Sequence, residues 1–523
     1  MKFSAKSAFT VATLASVALA FAGIASAQDQ AIKVGPIVMY EDHHDTSLPV
    51  RELGSLAPKV LHIVKEERRR PGPPIVGSEP DPVVQRKELP LVATTPGLNF
   101  EGISDRDGDA PPDTNASVGA TQVVETVNTS LQVFNKTTGA SIFGPVEVAS
   151  IFAKFGGVCQ SGPFFSDPVV LYDKAAGRWL ITIIGSNDGF GTGTECIAVS
   201  TTSDATGAYN RYAFAFNPDL NDYPKFGVWP DAYYASYNMF GPTSFVGARA
   251  CAYNRANTLA GSAATGICFT NPNDFSFMPS DLDGAGVATA GEPNFFLELN
   301  NSTSLDMFKF HVDFVVPSNS TFTGPTAITV ASYTEACNGG TCIPQPGTTQ
   351  LLDSLADRLM FRLAYRNFTD HEALVITHSV KGTGGVVSNA RWYEIRSPNA
   401  TPTVFQQGTF AVSAVPLWMG SAGMDKTGDI ALGISGSSGT VHPSIAYAGR
   451  VPTDPAGMLE SPALIHLGPG SQTGGLSRWG DYSSMSIDPV DDCTFWYAQM
   501  YIPANGSFNW HTRLASFKFN ACH

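Results

Sequence analysis

The chain reads as all-β, built from seven like modules behind an N-terminal leader of different texture. Three observations predict this. From Leu98 onward, short strand-like runs recur, among them Gln122-Val-Val-Glu-Thr-Val, Trp179-Leu-Ile-Thr-Ile-Ile and Ala373-Leu-Val-Ile-Thr. Gly, Ser, Thr, Asn and Asp punctuate them, and sustained 3.6-residue periodicity is absent. Third, a short anchor recurs just before a presumed first strand: Asp113 (PPDTN), Asp167 (FSDPVV), Asp231 (VWPDAYY), Asp357 (LADRLMF), Gly420 (LWMGSAG) and Asp481 (RWGDYSS).

The gaps between these anchors are 54, 64, 126, 63 and 61 residues. The long gap is two periods, and its midpoint falls at Asn294 in EPNFFLEL. A period of this length, made of antiparallel strands, suits the four-stranded blades of a β-propeller with long loops, and the anchors count seven. An array of two-sheet sandwiches is the competing architecture. Only 42 residues follow Asp481. The last module is therefore short, and a strand from about residues 98–112 is expected to complete it and protect its edge.

Within a module the expected order is strand, tight turn, strand. The turns Asp173-Lys-Ala-Ala-Gly-Arg, Asp425-Lys-Thr-Gly-Asp and Asp488-Pro-Val-Asp-Asp begin with an aspartate that can accept the turn's N–H groups. Trp179 and Trp496 follow such turns and are expected between neighbouring blades.

Residues 28–97 form the leader. A charged, mainly basic run at Lys65–Arg70 is followed by prolines at 71, 73, 74, 80, 82, 90 and 96. Leu56–Arg70 has the pattern of an amphipathic helix, and the proline tract reads as an extended, flexible spacer.

Residues 1–27 have the layout of an export signal. Lys2 and Lys6 precede an apolar stretch from Phe9 to Ile24, and Ala25-Ser26-Ala27 is a small-residue cleavage site. The mature chain is expected outside the cytoplasm, secreted or periplasmic, with no membrane span. The chain carries 32 Lys and Arg against 46 Asp and Glu, and losing Lys2 and Lys6 leaves 30 against 46. That balance argues against nucleic acid as a partner. Eight cysteines, with no CxxC, fit disulfides in an exported chain. Neighbourhood favours Cys337 with Cys342 and Cys251 with Cys268, leaving Cys159 with Cys196 and Cys493 with Cys522.

In a propeller, the starts of the innermost strands meet at one mouth of the central channel. Asp113, Asp167, Asp231, Asn294, Asp357 and Asp481 are the candidates to converge there. Clustered carboxylates take up protons, bind a cation or pair with arginines. Alternatively, each aspartate caps only its own strand. Arg358 and Arg478 adjoin the ring, and with Arg362, Arg391 or Arg450 they could clamp an acidic ligand or neutralise the ring. Asp231 and Asp481 are the candidate catalytic acids of a glycan hydrolase or lyase, because Trp229 and Trp479 nearby could stack a sugar ring. A second cation candidate is Asp105-Arg-Asp-Gly-Asp109, where Asp105, Asp107 and Asp109 alternate as calcium ligands do. The acid that completes an EF-type loop is absent, since position 116 is Ala. His371-Glu372 lacks the zincin spacing, no G-x-S-x-G occurs, and no nucleotide or redox fingerprint is present.

The strings PPDTNASVG, DPVVLYDKAAGRWL, DYPKFGVWPDAYY, DRLMFRLAYRNFTDHEALV and RWGDYSSMSIDPVDDCTFWY resemble a family of exported bacterial β-propeller-like proteins without an assigned activity. That family is similar in layout to sialidase-like propellers. The resemblance runs from about Leu98 to the C-terminus and implies fold and export. Ser486-Ile-Asp-Pro-Val-Asp-Asp departs from the sialidase box S-x-D-x-G-x-x-W, so the resemblance supplies no catalytic residue. Two functions follow as expectations. One is a binding or scaffold propeller taking a glycan, peptide or partner at its channel mouth, with Ca²⁺ as an optional cofactor. The other is a glycan-active enzyme using the same acids.

Overall fold

The computed structural model describes residues 1, 34–56, 63–65, 68–284, 286, 288 and 291–523. Apart from Met1, the expected export signal lies outside them. Among the described residues, seven antiparallel meanders of four strands can be traced. Their innermost strands are Asn115–Val118, Phe164–Asp173, Leu220–Val228, Met278–Asp283, Met360–Asn367, Leu417–Met424 and Ser484–Ile487. Each lies beside the next and the last lies beside the first, so they ring a central axis. The fold is a β-propeller. Between the fourth and fifth meanders the ring is tightened by parallel pairing of Ser280–Asp283 with Leu363–Arg366.

The last meander takes only three strands from the C-terminal segment. Its outer strand is Thr94–Ser104, paired antiparallel with His511–Phe519. The sequence suggests a strand a few residues later, and the closure itself is as expected. Closure by this earlier strand gives the blade its fourth strand and covers the outer edge of His511–Phe519.

Large aromatic side chains fill the wedges between blades. Trp179 and Trp496 both sit there, packed with residues of the first blade. The acidic turns behave as caps. Asp173 Oδ1 accepts the Ala176 N–H at 3.0 Å, Asp425 Oδ1 accepts from Thr427 and Asp429, and Asp488 Oδ1 accepts from Val490. All eight cysteines pair as 159–196, 251–268, 337–342 and 493–522. Cys251 and Cys268 face each other across adjacent strands. Among the described residues, no helix is long and apolar enough to cross a membrane.

The leader differs from the flexible spacer its composition suggests. Val34–Tyr40 adds a fifth strand beside Thr265–Asn271, and His43–Thr46 adds one beside Tyr209–Ala215. Further on, Val84 bridges to Thr409 and Leu91 to Ser461, on the outer strands of the next two leader-covered blades. The physical reason is that exposed edge strands offer unpaired N–H and C=O groups, which an extended, proline-punctuated segment can satisfy without a core of its own. The helix expected over Leu56–Arg70 is also not formed where it can be seen: residues 63–65 and 68–70 are not helical, and Val64 bridges to Ala110.

Of the outer strands that have no further strand beside them among the described residues, two are Ser141–Glu147 and Thr321–Thr329. Each contains a Gly-Pro step, Gly144-Pro145 and Gly324-Pro325, and the added strand Val34–Tyr40 contains Gly35-Pro36. Proline has no N–H to offer a pairing chain. Gly144 lies at φ 86°, and a Cβ there would come within 2.6 Å of the Leu131 carbonyl oxygen.

Candidate functional site

The mouth is shaped by a repeated backbone device. Asp113, Asp167, Tyr223 and Asp481 have φ of 54°, 54°, 56° and 59°, each at the entry of an innermost strand. In the second and third blades the strand register shifts at this point, between Ser166 and Val169 and between Asp222 and Lys225. Such a bulge turns the side chain out of the ladder and toward the axis. Holding four non-glycine residues in the left-handed region costs conformational energy that the surrounding sheets must offset.

The side chains brought together are acidic, aromatic and basic. Lys65 of the leader reaches between two blades, with Nζ on Asp113 Oδ2 and 3.0 Å from Asp167 Oδ1. Tyr482 donates its hydroxyl either to Asp167 Oδ2 at 3.1 Å or to the Pro224 carbonyl at 2.9 Å. Arg478 pairs with Asp481, and Arg358 pairs with Asp357 at 2.7 Å. Beneath them the Lys225 ammonium nitrogen lies 3.1 Å and 3.3 Å from the ring centroids of Tyr223 and Tyr482.

Electrostatics separates these groups. Burial, then Asp167 and Asp481, pushes the Asp113 carboxyl well above its usual range despite Lys65. Burial also acts upward on Asp167, but Lys65, Ser166 and Lys225 outweigh it and hold that carboxyl below the usual range. Asp222, beside them, is raised to about 6 by burial and by Asp167. Burial drives Lys225 well below the usual lysine range. Lys65 is thus the ammonium that balances Asp113 and Asp167 (burial opposes its charge, and the two carboxylates prevail).

The sequence candidates divide accordingly. Asp113, Asp167, Asp357, Arg358, Arg478 and Asp481 stand at the mouth. Asp231 and Asn294 do not: each lies at the entry of a second strand, at the far end of the channel. Asp231 accepts from Tyr234 at 3.3 Å, and Asn294 clasps the main chain of Ser280. Spacing misled here because the anchors WPD and EPN mark the hairpin after the innermost strand, not its entry. Trp479 and Trp229 are 0% and 1% exposed, so neither can stack a sugar. Trp479 packs on Trp418 with ring centroids 5.6 Å apart. Arg391 serves Asp81, and Arg450 serves main-chain carbonyls including Pro455 O.

Arg362 lies deeper in the channel. It binds Asp281 at 2.8 Å, Asp283, and the Met485 carbonyl at 2.8 Å. The channel there is filled, leaving a cavity of about 30 Å³.

Sequence reasoning missed Lys65, Tyr223, Lys225, Tyr482 and Asp222 as mouth residues. DYPKF from Asp222 carried a signal, since an Asp-Tyr pair also opens the last blade at Asp481-Tyr482.

The Asp105–Asp109 loop is a separate acidic site. Asp105 Oδ1 accepts the N–H groups of Asp107 and Gly108 at 3.2 Å and 2.8 Å, which closes the turn. Asp105 Oδ2, Asp107 Oδ1 and Glu147 Oε1 are buried without a hydrogen-bond partner. Burial first, with the neighbouring acids, raises Asp105 and Asp107 to about 6 and Glu147 to about 8. Among the described residues, the trio of ligand atoms within 4.8 Å of one another is Asp425, Cys493 and Cys522, whose cysteines form a disulfide.

No family model matches the chain, and no curated protein matches it. Among solved structures it is similar to the WD40 domain of SCAP from fission yeast, at 10% identity over 77% of this chain and 82% of that one, with a TM-score of 0.32. A protein of unknown function from Dyadobacter fermentans gives 10% identity, 68% and 94% coverage, and a TM-score of 0.36. An exo-β-1,3-galactanase from Clostridium thermocellum gives 8%, 81% and 97%, and 0.31. Likeness at this distance concerns the fold and carries nothing about activity.

Proposed function

We propose that this chain is an exported binding propeller that engages a partner at its channel mouth. The observation supporting this reading is the charge pairing of the mouth. Its carboxylates are met by Lys65, Arg358 and Arg478, and the acid pair that a hydrolase would draw from Asp231 and Asp481 lies at opposite ends of the channel. Groups arranged to hold charge in register suit recognition.

The test compares the wild type with Lys65→Ala, which unpins the leader. Immobilised peptides and glycans report capture, and soluble glycans report turnover. Capture that Asp113→Asn removes, without turnover, is expected. Turnover lost in Asp113→Asn or Asp481→Asn would overturn the proposal in favour of the glycan-active enzyme.

Calcium enters the proposal at Asp105, Asp107 and Asp109 with Glu147, where the unpartnered buried oxygens of Asp105, Asp107 and Glu147 suit a hard cation. Carboxyls with raised folded-state pKa hold protons that the unfolded chain has released. Their contribution to stability therefore falls as pH rises from about 4 through 6, and through about 8 for Glu147. Asp107→Asn is expected to raise the melting temperature at pH 8 and to change it little at pH 4. Millimolar calcium should likewise raise the wild-type value at pH 8, and an unchanged melting curve would remove calcium from the proposal.

A further inference from the structure

We infer that the mouth's ligand is an extended peptide that places a lysine ammonium between Asp113 and Asp167, and that residues 63–65 and 68–70 of the leader hold its place as a tethered copy. This rests on the binding reading above and names its ligand class.

The mouth grips the leader chiefly by its main chain. Lys65 N–H donates to the Ala110 carbonyl at 3.0 Å, and Ala110 N–H donates to the Ile63 carbonyl at 3.0 Å, so this stretch pairs in parallel with the rim. Arg478 Nη1 donates to the Lys65 carbonyl at 3.0 Å, and Arg358 Nη2 donates to the Arg68 carbonyl at 2.7 Å. Arg70 N–H donates to Asp357 Oδ2 at 2.8 Å. Main-chain recognition of this kind accepts any extended segment, and side-chain slots then select among them.

The selecting slot is the Lys65 pocket. Arg358 and Arg478 are already held by Asp357 and Asp481, so the arms that grip the carbonyls keep their places whether or not the leader is present. Among the described residues, neither Asp113 nor Asp167 is ion-paired to an arginine. Lys225 acts on Asp167 only through space, since its ammonium lies against the Tyr223 and Tyr482 rings and donates to the Pro224 carbonyl, not to either carboxylate. The barrel therefore lacks one cation at this point, and the occupant brings it. Asp113 is fully buried, and its second oxygen has no hydrogen-bond partner. The slots beyond are less demanding: Arg70 meets Glu335 at 2.8 Å, and the Arg68 guanidinium lies 4.5 Å from the Phe240 ring centroid.

A tethered occupant competes at an effective concentration in the millimolar range, so an outside peptide binds poorly until the tether loosens. Lys65→Ala loosens it without changing any residue of the barrel. The probe is the capped peptide of residues 63–70, IVKEERRR, with a second peptide carrying norleucine in place of its lysine. Fluorescence anisotropy is expected to show the lysine peptide binding Lys65→Ala about tenfold or more tighter than the norleucine peptide, the value of one charge-assisted contact. Adding Asp113→Asn should erase that difference. Equal binding of the two peptides, or no effect of Asp113→Asn, would overturn the inference and make the leader a structural clasp. Capture of other ligands in the screen above would then still stand, so the two failures are distinguishable. Should Lys65→Ala fold poorly, its melting temperature is expected to recover in n-butylammonium and not in tetramethylammonium. Recovery in neither would count against the slot.

Discussion

Arg362→Leu is expected to destabilise the folded chain by about 3–5 kcal/mol at neutral pH, the cost of stranding buried partner charges. Arg362 is 2% exposed and holds Asp281, Asp283 and the Met485 carbonyl together in a channel with almost no free volume. Without it, two carboxylates face each other beside a cavity of about 30 Å³, room for only a few waters. Burial, reinforced by Asp283, already raises Asp281 against the pull of Arg362. In the variant it will rise further. A carboxyl raised in the folded state costs stability as pH rises through its folded pKa, so the penalty should shrink toward acid pH. Chemical denaturation at several pH values reads this directly. A loss that does not vary with pH would mean that Arg362 acts by packing alone. Replacing Asp281 and Asp283 with Asn in the same chain should recover much of the loss, since the unpaired charge goes with them.

Trp479→Ala is expected to cost about 3–5 kcal/mol, as for other fully buried aromatic side chains cut to alanine. Trp479 is 0% exposed, packs on Trp418, and donates its Nε1 hydrogen to Ser435 Oγ at 3.2 Å. It also neighbours Asp481, so the loss should spread to the mouth. A thermal melt separates the two roles that the sequence allows for this residue. A sugar platform would lose ligand and keep its melting temperature, whereas a core tryptophan lowers the melting temperature in the absence of any ligand.

The fold was legible because its signals are local. Strand periodicity, aspartate-led turns and the repeat of about 60 residues each report one blade, and the disulfide pairs join near neighbours in sequence. The mouth was legible in half. Asp113, Asp167 and Asp481 precede innermost strands and announce themselves by position. Asp231 and Asn294 were misplaced because a repeat read by eye cannot tell which hairpin end an anchor marks, and a single missed strand exchanges the two ends of the channel. The role of Lys65 was hidden for a different reason. It lies in a segment whose composition is that of a spacer, and its partners Asp113 and Asp167 are 48 and 102 residues away. Opposite charge draws such groups together, but nothing in the local pattern marks the meeting place. Tyr223 needed knowledge of a bulge that only the strand register reveals.

The rim of the wheel has a consequence for how another molecule can approach. Its perimeter is either lined by the chain's own early residues or interrupted at Gly144-Pro145 and Gly324-Pro325. Side-by-side polymerisation through shared sheets is thereby discouraged, even at high local concentration. What remains accessible is travel along the axis, and visitors are steered to the flat ends of the molecule.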